Sequence, residues 1–154
     1  MKIIVIILLA LIAVWLDIAL SFWWVNWFIP IFVWVGIYYF VLKNNVADRW
    51  LWIIALSVWS LFSTDIFSTL IFIVLFGISG ELLNLIYKKY LPMSNILLLL
   101  IPSAILLGID EVILMLSLHQ PIGWQVLGRI ASTLVIIAFI SFFYDQKKEN
   151  KKYI

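Results

Sequence analysis

The sequence predicts an all-α, polytopic membrane protein: a bundle of six transmembrane helices with the N and C termini in the cytoplasm. Composition is the first reason, because 66% of the 154 residues are hydrophobic and 12% are charged, against about 25% charged residues in a soluble domain. Length is the second, because it accommodates about six crossings of roughly 20 residues. A soluble core could not bury this much apolar surface, whereas a bilayer can.

The first half of the chain supplies three predicted spans, at 3–22, 28–42 and 50–63. The first is too long for the apolar region of a signal peptide and contains Asp17, so we expect it to be retained. The aromatic run at 23–28 is typical of a membrane interface. A polar loop at 43–49 separates the second span from the third.

The second half supplies spans at 66–87, 95–118 and 123–144. The stretch 50–87 is too long for one crossing, so we expect it to turn back at 62–65. A His-Gln-Pro-Ile-Gly turn at 119–123 joins the last two spans. Residues 1–144 thus form a single transmembrane domain, followed by a polar cytoplasmic tail at 145–154.

The positions of the basic residues predict the orientation. Six spans place nearly all of them on one side of the membrane: Lys2, Lys43, Arg49, Lys88, Lys89, Lys147, Lys148, Lys151 and Lys152. Arg129 lies inside a span. Because short cytoplasmic loops carry the excess of Lys and Arg, this side is predicted to be the cytoplasm.

The last two spans carry opposite charges at similar distances from the turn that joins them. Asp110 and Glu111 lie in the fifth span and Arg129 in the sixth. Because helices joined by a short loop are antiparallel neighbours, we expect Arg129 to pair with one of the two acids. Adjacent helical residues are about 100° apart, so both acids cannot point to one spot. The candidate polar cluster, in the outer half of the bilayer, comprises Asp17, Asp65, Asp110, Glu111 and Arg129.

Three interpretations of these charges stay open. One is a structural ion pair that fixes helix rotation, with the other acid protonated or facing water. Another is a polar pocket or a docking point for a partner helix. The third is a proton or ion pathway, since ionisable groups inside a membrane are frequently functional. Glu81 is a possible secondary site, and we expect it to extend toward the cytoplasm and pair there.

Several function classes are disfavoured by what the sequence lacks. It contains no cysteine and a single histidine, His119, which excludes thiolate chemistry and a conventional histidine metal site. It has no HExxH motif, no glycine-rich phosphate loop and no Ser-His-Asp set. We therefore expect no enzyme activity, no cofactor and no metal. The basic residues are too few and too scattered for nucleic acid, but they can contact anionic lipid head groups.

The order of these features resembles the bacterial rod shape-determining protein MreD. The similarity lies in the size and hydropathy plan, in the Pro-opened second helix (Ile29-Pro30-Ile31-Phe32), in the acidic turn followed by hydroxyl residues (Thr64-Asp65-Ile66-Phe67-Ser68-Thr69) and in the basic tail. The resemblance implies a multi-pass scaffold of the bacterial cytoplasmic membrane. Its implied partners are an MreC-like protein and wall-synthesis components.

The same resemblance implies a fold similar to the substrate-binding subunits of energy-coupling-factor transporters. This gives an alternative function, a small-ligand capture subunit whose pocket would be formed by the candidate polar cluster. An enclosed cavity of a few hundred Å³ would favour capture, whereas a packed interior would favour the scaffold.

Overall fold

The computed structural model describes residues 2–20, 28–60, 66–90, 96–117 and 124–150. Apart from the turn at 43–45, the chain is helical throughout these ranges, and no strand is found in them. The elements are α1 (Lys2–Leu20), α2 (Phe28–Leu42), α3 (Val46–Ser60), α4 (Ile66–Tyr90), a 3-10 turn (Ile96–Leu99), α5 (Leu100–Ser117) and α6 (Trp124–Asn150). The all-α prediction is thus confirmed for the part of the chain that the structure describes.

Several helix bounds differ from the predicted spans by a few residues, and two of these differences change how a segment is described. The third helix begins at Val46 rather than at 50, which moves Arg49 from the predicted loop into a helix. The sixth helix continues past 144 to Asn150, because the Gln, Lys and Glu residues of this segment are strong helix formers. The predicted turns at 62–65 and 119–123 and the aromatic run at 23–27 lie outside the described residues.

Three described helices contain segments long and apolar enough to cross a membrane. These segments are Thr69–Lys89, Leu100–Ser117 and Val126–Tyr144. Helices α1 and α2 contribute shorter apolar stretches, Ile3–Leu16 and Pro30–Leu42. The structure is therefore compatible with membrane insertion, while six crossings stay a prediction.

Helix α2 lies at the centre of the bundle. It contacts α1, α3, α4 and α6, and Val33, Trp34, Ile37, Tyr38 and Val41 are all fully buried. This position follows from its sequence, because a helix that is apolar on every face is normally buried or spans a membrane.

The outward faces of the surrounding helices are apolar as well. On α4, exposed residues recur every three or four positions at Leu70, Val74, Ile78, Leu82 and Leu85. This is the spacing of one helix face. An apolar face of this length suits contact with lipid.

A tight turn connects α2 to α3. The N–H of Asn45 donates to the carbonyl of Phe40 at 3.0 Å, and the N–H of Asn44 donates to that of Val41 at 2.9 Å. This is the Schellman pattern, which needs a left-handed residue just past the helix, and Asn44 has a φ of 50°. The side chain of Asn45 then caps α3 by accepting the N–H of Asp48 at 3.2 Å.

The C-terminal end of α2 is also tied to α6. The hydroxyl of Tyr144 donates to the carbonyl of Leu42 at 2.9 Å, one of the carbonyls that a helix end leaves without an intrahelical partner. One turn earlier, Tyr38 forms a buried hydrogen bond with Ser141. These two contacts fix α6 against the central helix.

A close approach between α2 and α3 depends on Gly36. The indole N–H of Trp52 donates to the carbonyl of Phe32 at 3.0 Å, so the ring lies directly over Gly36. A Cβ at this position would lie 2.0 Å from Trp52 Nε1. Because the ring is buried, it could not move aside without disturbing its neighbours.

We expect Gly36→Ala to destabilise the fold by about 1–3 kcal/mol, the usual cost of overpacking a well-packed interior. The added methyl group displaces Trp52 and breaks its bond to Phe32. Thermal unfolding of the purified protein in mild detergent measures the loss.

Gly108→Ala is the matched control, because a Cβ there would meet nothing within 4 Å. Alanine also favours a helix over glycine by up to about 1 kcal/mol, so this variant should be neutral or slightly stabilised. Equal melting temperatures for the two variants would contradict the packing seen at Gly36.

Candidate functional site

An enclosed ion pair joins α5 to α6. Arg129 Nη2 lies 2.9 Å from Glu111 Oε2, and the two side chains are only 5% and 3% exposed. This is one of the two pairings that the sequence allowed. A second contact from Arg129 Nη2 to Met115 Sδ, at 3.7 Å, places the guanidinium across one face of α5, because Glu111 and Met115 are four residues apart.

Asp110 points away from this pair toward other helices. Ser79 of α4 donates its hydroxyl to Asp110 Oδ1 at 2.7 Å, and Asp110 is 1% exposed. The indole N–H of Trp34, on the central helix, approaches the same carboxyl group. It does not reach hydrogen-bond geometry, so Trp34 Nε1 and Asp110 Oδ2 are both buried without a hydrogen-bond partner among the described residues.

These contacts form what we call the four-helix cluster, because its members come from α2, α4, α5 and α6: Trp34, Ser79, Asp110, Glu111 and Arg129. Within it, one guanidinium meets one carboxylate, while the second carboxyl group meets only neutral donors. The adjacent positions of Asp110 and Glu111 produce this division, since they point about 100° apart around α5.

A second ion pair joins α3 to α4. Arg49 bonds to Glu81 Oε1, and the indole N–H of Trp50 donates to the same oxygen at 3.0 Å. Arg49 is almost fully buried, whereas the side chain of Glu81 is 41% exposed. The side chains of Trp50 and Arg49 lie over Gly77 and Gly80 of α4, whose lack of side chains provides the space.

Sequence reasoning missed Arg49 because it assigned residues 43–49 to a loop. The sequence predicts that Glu81 extends toward the cytoplasm and pairs there, and in the structure its partner is Arg49. The signal that could have revealed this is Asn45 followed three residues later by Asp48. That spacing resembles an N-terminal capping pattern and starts a helix at Val46.

The other members of the candidate polar cluster cannot be placed beside these groups. Asp17 belongs to α1, but its side chain lies outside the described residues, as does the whole of Asp65. Elsewhere on α1, Ala10 and Ala13 are buried. Of the five predicted residues, the structure brings together Asp110, Glu111 and Arg129.

At the C-terminal end of α2, Lys43 remains outside the apolar segment. Its ammonium lies 5.0 Å from the centre of the Tyr39 ring. A side-chain hydrogen bond with Tyr39 raises the pKa of Lys43 above its usual value. Lys43 is therefore a permanent positive charge at this end of the bundle.

Among the residues that the structure describes, no three His, Cys, Asp or Glu side chains come together as a metal site would require. The four-helix cluster can fix the relative rotation of the helices, and its acid without a cationic partner can hold a proton.

Comparison of the chain with protein-family models, with curated proteins and with solved structures finds no match. Function is therefore inferred from the helical bundle and its buried charges.

We expect Arg129→Met to destabilise the protein by about 3–5 kcal/mol, because it leaves the Glu111 carboxylate buried without its cation. The double variant Arg129→Met/Glu111→Leu should recover much of this loss, since replacing both charges by apolar groups removes the stranded ion. Thermal unfolding in detergent of both single variants and the double variant gives the coupling between the two side chains.

Arg49→Met is the matched comparison. The carboxylate that it leaves behind, Glu81, is 41% exposed and can be hydrated, so the loss should be smaller than for Arg129→Met. A double variant that is no more stable than Arg129→Met alone would show that the Glu111 carboxylate is not the cause of the destabilisation.

Proposed function

We propose that the chain is a non-enzymatic scaffold of the bacterial cytoplasmic membrane, similar to MreD, that works in cell-shape maintenance and wall elongation. The observation that carries the proposal is the engagement of Asp110, Glu111 and Arg129 by other helices of the bundle. A capture site needs polar groups that turn toward a ligand, whereas these groups hold helices together. A packed polar interior suits a protein that presents its outer faces to partners.

The proposed topology has six crossings with both termini in the cytoplasm. It is supported by the apolar segments of α4, α5 and α6 and by the one-sided distribution of Lys and Arg outside the spans. In this arrangement the Arg49–Glu81 pair lies near the cytoplasmic end, and Arg129–Glu111 lies in the outer half.

The proposed partners are an MreC-like membrane protein, wall-synthesis components and anionic lipid head groups. Lipid binding is supported by the exposed Lys43, Lys88 and Lys89 at the ends of α2 and α4. Each basic residue near an anionic surface contributes about 1 kcal/mol. Protein partners would contact the apolar outer faces of the helices.

A capture subunit of an energy-coupling-factor type transporter is the second candidate. One observation favours it: Asp110 Oδ2 and Trp34 Nε1 are buried polar atoms without hydrogen-bond partners among the described residues. A small ligand with both a donor and an acceptor could satisfy them.

Single-cysteine labelling tests the topology. Because the chain has no native cysteine, each variant can be labelled at one position only. In intact cells, a membrane-impermeant maleimide should label Gln120→Cys but not Lys147→Cys. Lys43→Cys is the control for the cytoplasmic side and should behave like Lys147→Cys. Labelling of Gln120→Cys and Lys147→Cys from the same side would overturn the six-span arrangement.

Affinity purification in mild detergent, followed by mass spectrometry of proteins and small molecules, tests the function. The scaffold predicts that wall-synthesis components co-purify with the chain and that no stoichiometric small molecule does. Co-purification of a vitamin-like compound together with an ATPase module would contradict the scaffold proposal and support the capture subunit. An unrelated six-span protein of the same host serves as the control for detergent-carried contaminants.

A further inference from the structure

The four-helix cluster contains an imbalance of charge. Asp110 and Glu111 are both buried, and of these two acids it is Glu111 that forms the ion pair with Arg129. If both acids were ionised, the cluster would carry a net negative charge inside an apolar bundle. A buried charge without a cationic partner is strongly disfavoured, and such a group normally takes up a proton instead.

Geometry decides which of the two acids is neutral. Glu111 Oε2 lies 2.9 Å from the Arg129 guanidinium, so its negative charge is compensated. Asp110 faces Ser79 and Trp34, which are both neutral. The contact with Ser79, at 2.7 Å, is compatible with either protonation state, because a hydroxyl group can donate or accept.

The charged groups around Asp110 can be followed helix by helix in the described residues. On α5 the neighbour is Glu111, a like charge, and on α6 it is Arg129, which Glu111 engages. On α4 the charged group in the same stretch is Glu81, which pairs with Arg49 of α3. On α2 the neighbour is Trp34, whose indole N–H carries no charge. Among the residues that the structure describes, no neighbouring helix therefore offers Asp110 a cation of its own.

We propose that Asp110 is a buried proton-binding site: at neutral pH its carboxyl group is the neutral acid bonded to Ser79, while Glu111 remains ionised against Arg129. Binding of this proton is coupled to the packing of α2, α4, α5 and α6, because deprotonation of Asp110 places an uncompensated negative charge among these helices. The folded state then holds a proton that the unfolded chain releases, so stability falls as the pH rises. This inference does not depend on the identity of any partner.

Infrared spectroscopy of the full chain in lipid nanodiscs tests the proposal. At pH 7 the wild type should show the carbonyl stretch of a protonated carboxylic acid, shifted by exchange into D₂O. Asp110→Asn should abolish the contribution of this group and retain the fold, because the amide mimics the neutral acid. The melting temperature of the wild type should fall as the pH rises from about 5 to about 9, and that of Asp110→Asn should change less over this range.

Two further variants keep the test decisive if Asp110→Asn does not fold. Ser79→Ala removes the hydrogen bond to the carboxyl group and should shift the same band, whereas Glu81→Gln, in the Arg49 pair, should leave it in place. A folded wild type without a protonated-acid band at pH 7 would overturn the proposal. So would a band insensitive to both Asp110→Asn and Ser79→Ala, or a sodium-dependent stabilisation abolished by Asp110→Asn, since a cation would then replace the proton.

Discussion

The ion pair between Glu111 and Arg129 determines how the second half of the bundle is assembled. Both side chains are nearly inaccessible to solvent, so neither charge can be satisfied by water, and the pairing fixes the rotation of α5 and α6. With α5 in this orientation, Asp110 is directed toward α4. With α6 in this orientation, Ser141 and Tyr144 face α2 and form the hydrogen bonds that fix the other end of the helix.

The two ion pairs differ in how exposed their carboxylates are: the Glu81 side chain is 41% exposed and that of Glu111 is 3% exposed. Glu81 is partly exposed, and it receives a second donor from Trp50. In this pair the arginine is buried, whereas the carboxylate that compensates its charge reaches the surface. Glu111 has no such access to water, and its charge is neutralised inside the bundle by Arg129. Removing both of these charges from water costs about as much free energy as their mutual attraction returns, so the enclosed pair contributes more to specificity than to net stability.

Much of the architecture could be predicted from the sequence, because the signals are local. The bounds of α2 follow from its apolar run, and the opposition of charges across the last turn predicts a contact between α5 and Arg129. The choice of Glu111 over Asp110 could not be predicted, since it depends on the rotation of α5 against α4 and α6. Arg49 was missed for a different reason: a charged residue beside Asn and Asp is typical of a loop unless the capping pattern is recognised. The pairing of Arg49 with Glu81, which lies in another helix, then depends on tertiary packing.

For a chain this apolar, what needs explaining is which helix faces contact each other when the bundle lies in a membrane. Lipid tails are as apolar as leucine, so burial of apolar side chains does not by itself favour one helix contact over contact with lipid. The faces that must meet are distinguished instead by small residues that allow close approach, such as Gly36 under Trp52, and by the few polar groups that must find each other. The four-helix cluster has this role for α2, α4, α5 and α6. A neutral Asp110 fits the same logic, because a protonated acid can bond to Ser79 without introducing a charge that the surrounding apolar side chains would oppose.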